Sequence, residues 1–377
     1  MGVNGVGRGH AIRSFRVCKK LLDLGIDIYI STYGDGYKTL KTLIGRDRSY
    51  HLLGLVGYNY VWSDRGLEWR RSISWGILNQ QRLINHFRRE IQLIKRISPN
   101  LVLSDSRLST AFASYLLDIP YAIVANQLSV VSLSKILNIF IREGFDVLWG
   151  KPDKIFISDL PPPYTISYLN TVPLTWHKNN VEYVGLLLDY SEYEREPVPI
   201  YERDIDLLLL ISAPRGDKER YFLRILNLIR MLKRLELKVV IIGINTPPRK
   251  FGNVELLGWV TNSLDVLSRS KIVMLRGGQT SILEAILTAT PMLISPAPFQ
   301  TEQEGNAVSV ERLGIGMKVP YTHLLLNPEY VIKKIFHIYG SLEVLFDNIL
   351  KVRKEMLRLK GINGIIEYVV GVKNGKY

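Results

Sequence analysis

A single cysteine, Cys18, stands in a chain of 377 residues, so no internal disulfide framework can form and a reducing compartment fits. The histidines outside the N-terminal loop, His51, His86, His177, His323 and His337, are scattered without ligand spacing, and no metal site is expected. No apolar run approaches the ~20 residues that span a bilayer. The greasiest run, Ile205 to Ile211, has the length of a buried strand. The first residues are glycine-rich and lack the apolar core of a secretory signal. No helix-turn-helix, RNP-type aromatic motif or solenoid-range repeat stands out, so nucleic acid is not an expected partner. Acidic residues are in deficit, 35 against 49 basic, for a net charge of +14. Such an excess points to acidic partners, whether nucleotide phosphates or anionic lipid. With 47% apolar residues, the chain can bury the cores of two ordinary domains.

Strands and helices alternate along both halves, which predicts parallel α/β sheets. In the first half strands are expected at Asp27–Thr32, Leu101–Leu103, Tyr121–Ala125, Lys154–Ile157 and Tyr183–Leu186, with helices at Ala11–Leu24, Ile77–Ile97 and Ser109–Leu117. Pro161-Pro162-Pro163 reads as an extended surface segment. Asp189 to Asp204, rich in Glu and Pro, reads as an interdomain linker. The alternation then restarts, with strands at Leu207–Ser212, Val239–Gly243, Val254–Leu257, Ile272–Leu275 and Met292–Ser295 and helices at Lys218–Leu235 and Glu284–Thr288. The expected division is 1–190 and 191–377: two Rossmann-like domains facing across a cleft.

The most informative stretch is Arg276-Gly277-Gly278-Gln279-Thr280-Ser281-Ile282-Leu283-Glu284, directly after a short strand. Two glycines allow a sharp turn, and Thr280 or Ser281 can cap the next helix. Free N–H groups and the positive end of a helix then converge on one spot, which suits a diphosphate. Glu284 lies where a carboxylate can hold a ribose diol. Pro291, Pro296, Pro298-Phe299-Gln300, Glu302-Gln303 and Asn306-Ala307 follow in register. This whole pattern resembles the donor-site signature of family 28-type and related GT-B glycosyltransferases. In the bacterial lipid-linked GlcNAc transferases it reads Arg, small, Gly, two residues, Thr, two residues, Glu, and Arg276, Gly278, Ser281 and Glu284 fill it. The resemblance implies that Glu284 binds the ribose and that the turn through Gly278, Gln279, Thr280 and Ser281 binds the diphosphate. It also implies that Gln300, Glu302 and Gln303 bind the sugar hydroxyls, and that the backbone at Trp259-Val260 holds uracil.

Near the start, Gly5-Val6-Gly7-Arg8-Gly9-His10 opens a helix. The loop also fits a dinucleotide fingerprint, but Ser31-Thr32-Tyr33 stands where that motif wants an acid. The version with His resembles the N-terminal loop of family 28-type and UDP-glucuronosyltransferase-like enzymes. There the histidine acts as general base, oriented by an aspartate after a later strand. His10 and Asp105 occupy those places, the alternative being a helix-start contact for His10 and a strand-end cap for Asp105. Only Met1 to Asn4 precede the loop, where a buried central strand of about five or six residues belongs. Either the domain is built on a stub or its first strand begins upstream, and the second is the expectation.

Between Arg65 and Arg96 basic residues mingle with Trp69 and Trp75 on an amphipathic pattern. This is either a peripheral membrane patch or a solvated helix face. Asp204-Ile205-Asp206 has a metal-like spacing but opens an apolar strand, so no metal is assigned to it. Ser212-Ala213-Pro214-Arg215-Gly216 would face the cleft, with Ser212 and Arg215 as diphosphate contacts or a plain strand-to-helix turn. Together these readings imply an inverting glycosyltransferase, with a nucleotide-diphosphate sugar, UDP-linked, as donor substrate and no cofactor. The acceptor is a hydroxyl, lipid-linked if the basic patch meets a membrane. The expected location is cytoplasmic, or peripheral on the inner face of the cell membrane. The alternatives are a sugar-nucleotide epimerase of the same fold and a non-catalytic binding subunit.

Overall fold

A computed structural model of the chain describes residues 1–55, 62–63, 66–67, 80–126, 128, 143–168, 180–212, 217–260, 262–298 and 300–375. Arg65 and residues 68–79 of the basic segment, Trp69 and Trp75 among them, together with Arg215 and Phe299, therefore lie outside the described residues.

Two seven-stranded sheets organise the molecule. The first takes β1 (Gly2–Val3), β2 (Ile28–Thr32), β3 (Tyr50–Gly54), β6 (Val102–Asp105), β7 (Tyr121–Ala125), β8 (Lys154–Ile157) and β9 (Val181–Tyr183). A separate antiparallel pair, β4 (Trp62–Ser63) and β5 (Gly66–Leu67), stands outside it. The order is β3-β2-β1-β6-β7-β8-β9, with every pairing parallel. The order reverses between β1 and β6, which opens a crevice at their carboxyl ends, where open α/β sheets bind ligands. Helices α1 (Gly9–Asp23), α2 (Gly34–Ile44), α3 (Gln80–Ile97) and α4 (Leu108–Leu116) connect these strands.

The second sheet runs β12-β13-β11-β10-β14-β15-β16. Its strands are β10 (Ile205–Leu210), β11 (Val239–Ile242), β12 (Arg249–Phe251), β13 (Val254–Gly258), β14 (Ser270–Leu275), β15 (Met292–Ile294) and β16 (Gly316–Lys318). Only the edge pair β12–β13 is antiparallel. Its helices are α5 (Asp217–Arg224), α6 (Leu226–Leu232), α7 (Ser263–Ser268), α8 (Gln279–Leu287), α9 (Thr301–Arg312), α10 (Tyr321–Leu326), α11 (Pro328–Tyr339) and α12 (Leu342–Leu357). The last helix, α13 (Ile362–Lys373), returns to the first sheet, where Ile362, Ile365 and Val369 share a core with Val3, Ile30 and Phe156. Strands covered on both faces need continuous apolar runs, which Leu207–Leu210 and Val239–Ile242 supply.

Several expectations shift. The single helix expected over Lys218–Leu235 is two, because Ile225 leaves helical geometry and its N–H is shared between Tyr221 and Phe222 carbonyls. The strand expected at Tyr183–Leu186 sits two residues earlier, where it pairs with β8. Neither Thr280 nor Ser281 caps α8. Gly278, already extended at φ −64°, ψ 132°, is the cap residue, so the helix starts at Gln279. The stub β1 keeps the central place, paired with both β2 and β6. Beside it lies a cavity of about 670 Å³ lined by Met1, Ile28, Ile94, Leu101, Val102 and Val372, among others. Asp204 and Asp206 are held in ion pairs with Arg269, Lys238 and Lys271.

Candidate active site

The loop Gly5–Gly9 begins where β1 ends, and its conformation is forced by close backbone contacts. Gly36 donates from N–H to the Gly5 carbonyl at 3.0 Å, and a Cβ on Gly5 would fall 2.1 Å from the Tyr33 carbonyl oxygen. Asn4 ties the loop down, accepting from Val6 N–H and donating to the Ser106 carbonyl. The chain therefore enters α1 with His10 directed at the end of β6, where Asp105 is paired in register with Val3.

The structure brings His10 and Asp105 into hydrogen-bond distance, Nδ1 to Oδ1 at 2.9 Å. Asp105 is fully buried and also accepts from Arg13 Nε to Oδ2 at 2.9 Å and from Ser14 Oγ at 2.7 Å. Burial opposes its ionisation, yet the Arg13 guanidinium and His10 hold it well below the usual carboxylate range. Arg13 Nη2 lies 3.0 Å from the same ring nitrogen of His10. In the tautomer that donates from Nδ1 to Asp105, His10 presents an Nε2 lone pair, and the ring is partly exposed.

The second half supplies the opposite wall. Gly277 sits at φ +92°, and a Cβ there would meet Ile294 and the Gln303 carbonyl at 3.0 and 3.1 Å. Gly278 is different: a Cβ there would have nothing within 4 Å. The turn is thus a shaped backbone with an open face at its centre, followed at once by the uncapped N-terminus of α8. Across the cleft, a Cβ on Gly9 would lie 4.0 Å from Thr280 Oγ1. The loop carrying His10 and the Gly278–Ser281 turn therefore face one another closely.

Around them stand the other sequence-derived residues. Glu284 is nearly buried, accepts from Ser263 Oγ at 2.9 Å, and has its pKa raised by burial against that hydrogen bond and the charge of Arg16. Gln300 precedes α9, and Gln303 Oε1 accepts from Ala297 N–H at 2.9 Å, which ties α9 to the chain leaving β15. Burial pushes Glu302 up to about 6, with Arg13 opposing and Asp159 adding to the shift. Arg276 is buried with its guanidinium 5.0 Å from the Tyr221 ring. Val260 packs on the second core, and Ser212 is exposed at the end of the chain leaving β10. Among the described residues, no group of three or more His, Cys, Asp or Glu side chains could hold a metal ion.

Two facing Rossmann-type sheets, each with a glycine turn beside its switch point, frame the cleft. Residues 222–359 match the glycosyltransferase family 28 C-terminal domain, and residues 1–144 match glycosyl transferase family 1. The chain is a GT-B glycosyltransferase. Uncharacterized glycosyltransferases of Methanosarcina mazei and Methanosarcina acetivorans are 28% and 26% identical to it, in each case over 88% of this chain and 87% of theirs. A spinosyn rhamnosyltransferase complexed with thymidine diphosphate shares its fold at a TM-score of 0.70 and 14% identity, covering 98% of both chains. MurG of Acinetobacter baumannii does so at 0.62 and 14%, over 97% of this chain and 98% of its own.

Sequence reasoning assigned no role to Arg13, Ser14, Arg8 or Lys218, which the structure places beside the candidate site. Arg13 and Ser14 lie one turn beyond His10 on the same helix, and that spacing was the available signal. Trp259 is half exposed, with the Arg8 guanidinium 4.3 Å and Lys218 Nζ 5.0 Å from its ring centroid. Burial, helped by Arg8, pulls the Lys218 ammonium down to about 8. No local pattern pointed to Arg8 or Lys218, since they meet Trp259 from distant parts of the chain.

Proposed function

We propose that this glycosyltransferase moves a hexose from a UDP-linked donor to a hydroxyl acceptor with inversion at the anomeric carbon. The observation that carries this reading is the close apposition of the His10–Asp105 pair and the open Gly278 turn. His10 Nε2 takes the proton from the acceptor hydroxyl while Asp105 steadies the forming imidazolium. The acceptor oxygen attacks the anomeric carbon from the face opposite the diphosphate, and the bond to the β-phosphate oxygen breaks. The electron pair leaves on the diphosphate, which the N–H groups of the turn and the positive end of α8 receive. Gln279, Thr280 and Ser281 line that turn, Arg276 contributes charge, and Ser212 is taken as a further diphosphate contact, as is Arg215, which lies outside the described residues. Glu284 holds the ribose once Ser263 gives way, Val260 borders the base, and Gln300, Glu302 and Gln303 contact the sugar.

The acceptor is taken to be lipid-linked, at the inner membrane face. Arg88, Arg89, Lys95 and Arg96 are exposed on α3 together with Ile84, a mix of basic and apolar groups that suits anionic headgroups. Among the described residues no helix is long and apolar enough to cross a membrane. The deciding experiment is calorimetric titration with UDP, GDP as control, on the wild type and on Glu284→Ala. UDP preference lost in the variant is the expected result. Absence of nucleotide binding in the wild type would move a binding-subunit reading to first place. Release of UDP with an epimer and no transfer product would favour an epimerase.

A further inference from the structure

The segment Asp159–Ser167 leaves the first sheet just after β8 yet packs with the second half. Leu160 and Ile166 are fully buried in the same core as Ile282 and Ala307. Arg312 on α9 donates to the Pro163 carbonyl at 2.8 Å and to that of Thr165 at 3.3 Å. At the segment's head, Asp159 is fully buried and accepts four hydrogen bonds. Its Oδ1 takes the Leu160 and Ile166 N–H groups at 2.7 and 3.1 Å, and its Oδ2 takes Ser167 N–H at 2.8 Å and Gln279 Nε2 at 2.6 Å. At its foot, Ser167 Oγ donates to Asn306 Oδ1 at 2.9 Å, and Asn306 Nδ2 donates to the Gly277 carbonyl at 2.9 Å.

Both anchors converge on the residues either side of Gly278, and on nothing else in the turn. Gly277 is held through its carbonyl and Gln279 through a side chain that is almost wholly buried, while the face of Gly278 between them stays open. We infer that Asp159, Gln279, Ser167 and Asn306 are positioning residues that hold the diphosphate turn in shape and in register with the first sheet. This rests on the donor-site reading given above. The geometry explains why a carboxylate is buried where an apolar side chain would pack at lower cost: it must accept backbone and side-chain donors from both halves at once. Burial pushes Asp159 up to about 6, so the arrangement is maintained against a desolvation cost. It also fixes the distance between base and leaving group, because Asp159 follows β8 and Asp105 ends β6, two strands away in one sheet.

The test compares two ligands on the full chain. Gln279→Met keeps the side-chain length, removes the donor, and leaves the three backbone bonds of Asp159 in place. UDP affinity, by calorimetry, should fall about tenfold, while uridine, which lacks the diphosphate, should bind as it does to the wild type by saturation-transfer NMR. The melting temperature should hold within a few degrees. Ser167→Ala, which loosens the Asn306 anchor, should show the same selectivity at roughly a third of the effect, and it carries the test if Gln279→Met does not fold. Unchanged UDP affinity, or equal weakening for UDP and uridine, would overturn the inference. A wild type that binds no UDP would remove the donor reading and this inference with it, so the two failures are distinguishable.

Discussion

Alanine at Gly278 separates folding from binding. The backbone there is at φ −64°, and an added Cβ meets nothing within 4 Å. Replacing glycine where the conformation is compatible stabilises by about 0.4–1 kcal/mol through the unfolded chain, so the melting temperature should rise by about 1–4 °C. The same methyl, however, would stand where a phosphate oxygen must approach the turn. Losing one or more charge-assisted hydrogen bonds, each about 1.5–3 kcal/mol, predicts a loss of about ten- to a hundredfold in UDP affinity. The neighbouring Gly277→Ala is the contrast. At φ +92° with contacts of 3.0 and 3.1 Å, it should destabilise by about 1–3 kcal/mol. Thermal melts and calorimetry on the two variants give the answer. A Gly278→Ala protein that binds UDP as the wild type does would refute the assignment of this turn to the diphosphate.

His10→Gln should leave UDP affinity unchanged and reduce turnover about 10²–10⁴-fold, measured as transfer at saturating donor; near-normal turnover would remove His10 as the base. Asp105→Asn should cost about 3–5 kcal/mol of stability, because Arg13 keeps a buried charge without its partner, and urea unfolding measures it. For Asp105 itself the folded-state pKa is depressed, so its contribution is present above the usual carboxylate range and is lost as pH falls below about 4. Glu302, raised to about 6, has the opposite sign. Its stabilising effect is complete below about 4.3 and disappears as pH rises through its folded value. If the ionised form accepts the sugar hydroxyls, affinity for the intact donor should fall as pH drops through 6, and Glu302→Gln should flatten that profile relative to UDP alone.

What could be read from the sequence was local in origin. The strands at Tyr121–Ala125 and Lys154–Ile157 have the bounds their apolar runs imply, because a strand buried on both faces must be apolar throughout. The Gly277-Gly278 turn and its helix were legible because a positive φ and a close backbone approach leave few residue choices. His10 and Asp105 could be named as a pair only through resemblance, as they are far apart in the chain with no periodicity linking them.

Tertiary structure alone decided the rest. It put Arg13 on Asp105, brought Arg8 and Lys218 to the Trp259 ring, and carried α13 back to close the first core. It left Pro162 and Pro163 at the surface, as read, but buried their flanks Leu160 and Ile166 in the other half. The physical reason is the same throughout. The sequence fixes backbone conformation and burial pattern over a few residues, where sterics and solvation act directly. Which distant polar groups satisfy one another is settled only when two sheets approach closely enough that each buried donor and acceptor must find a partner.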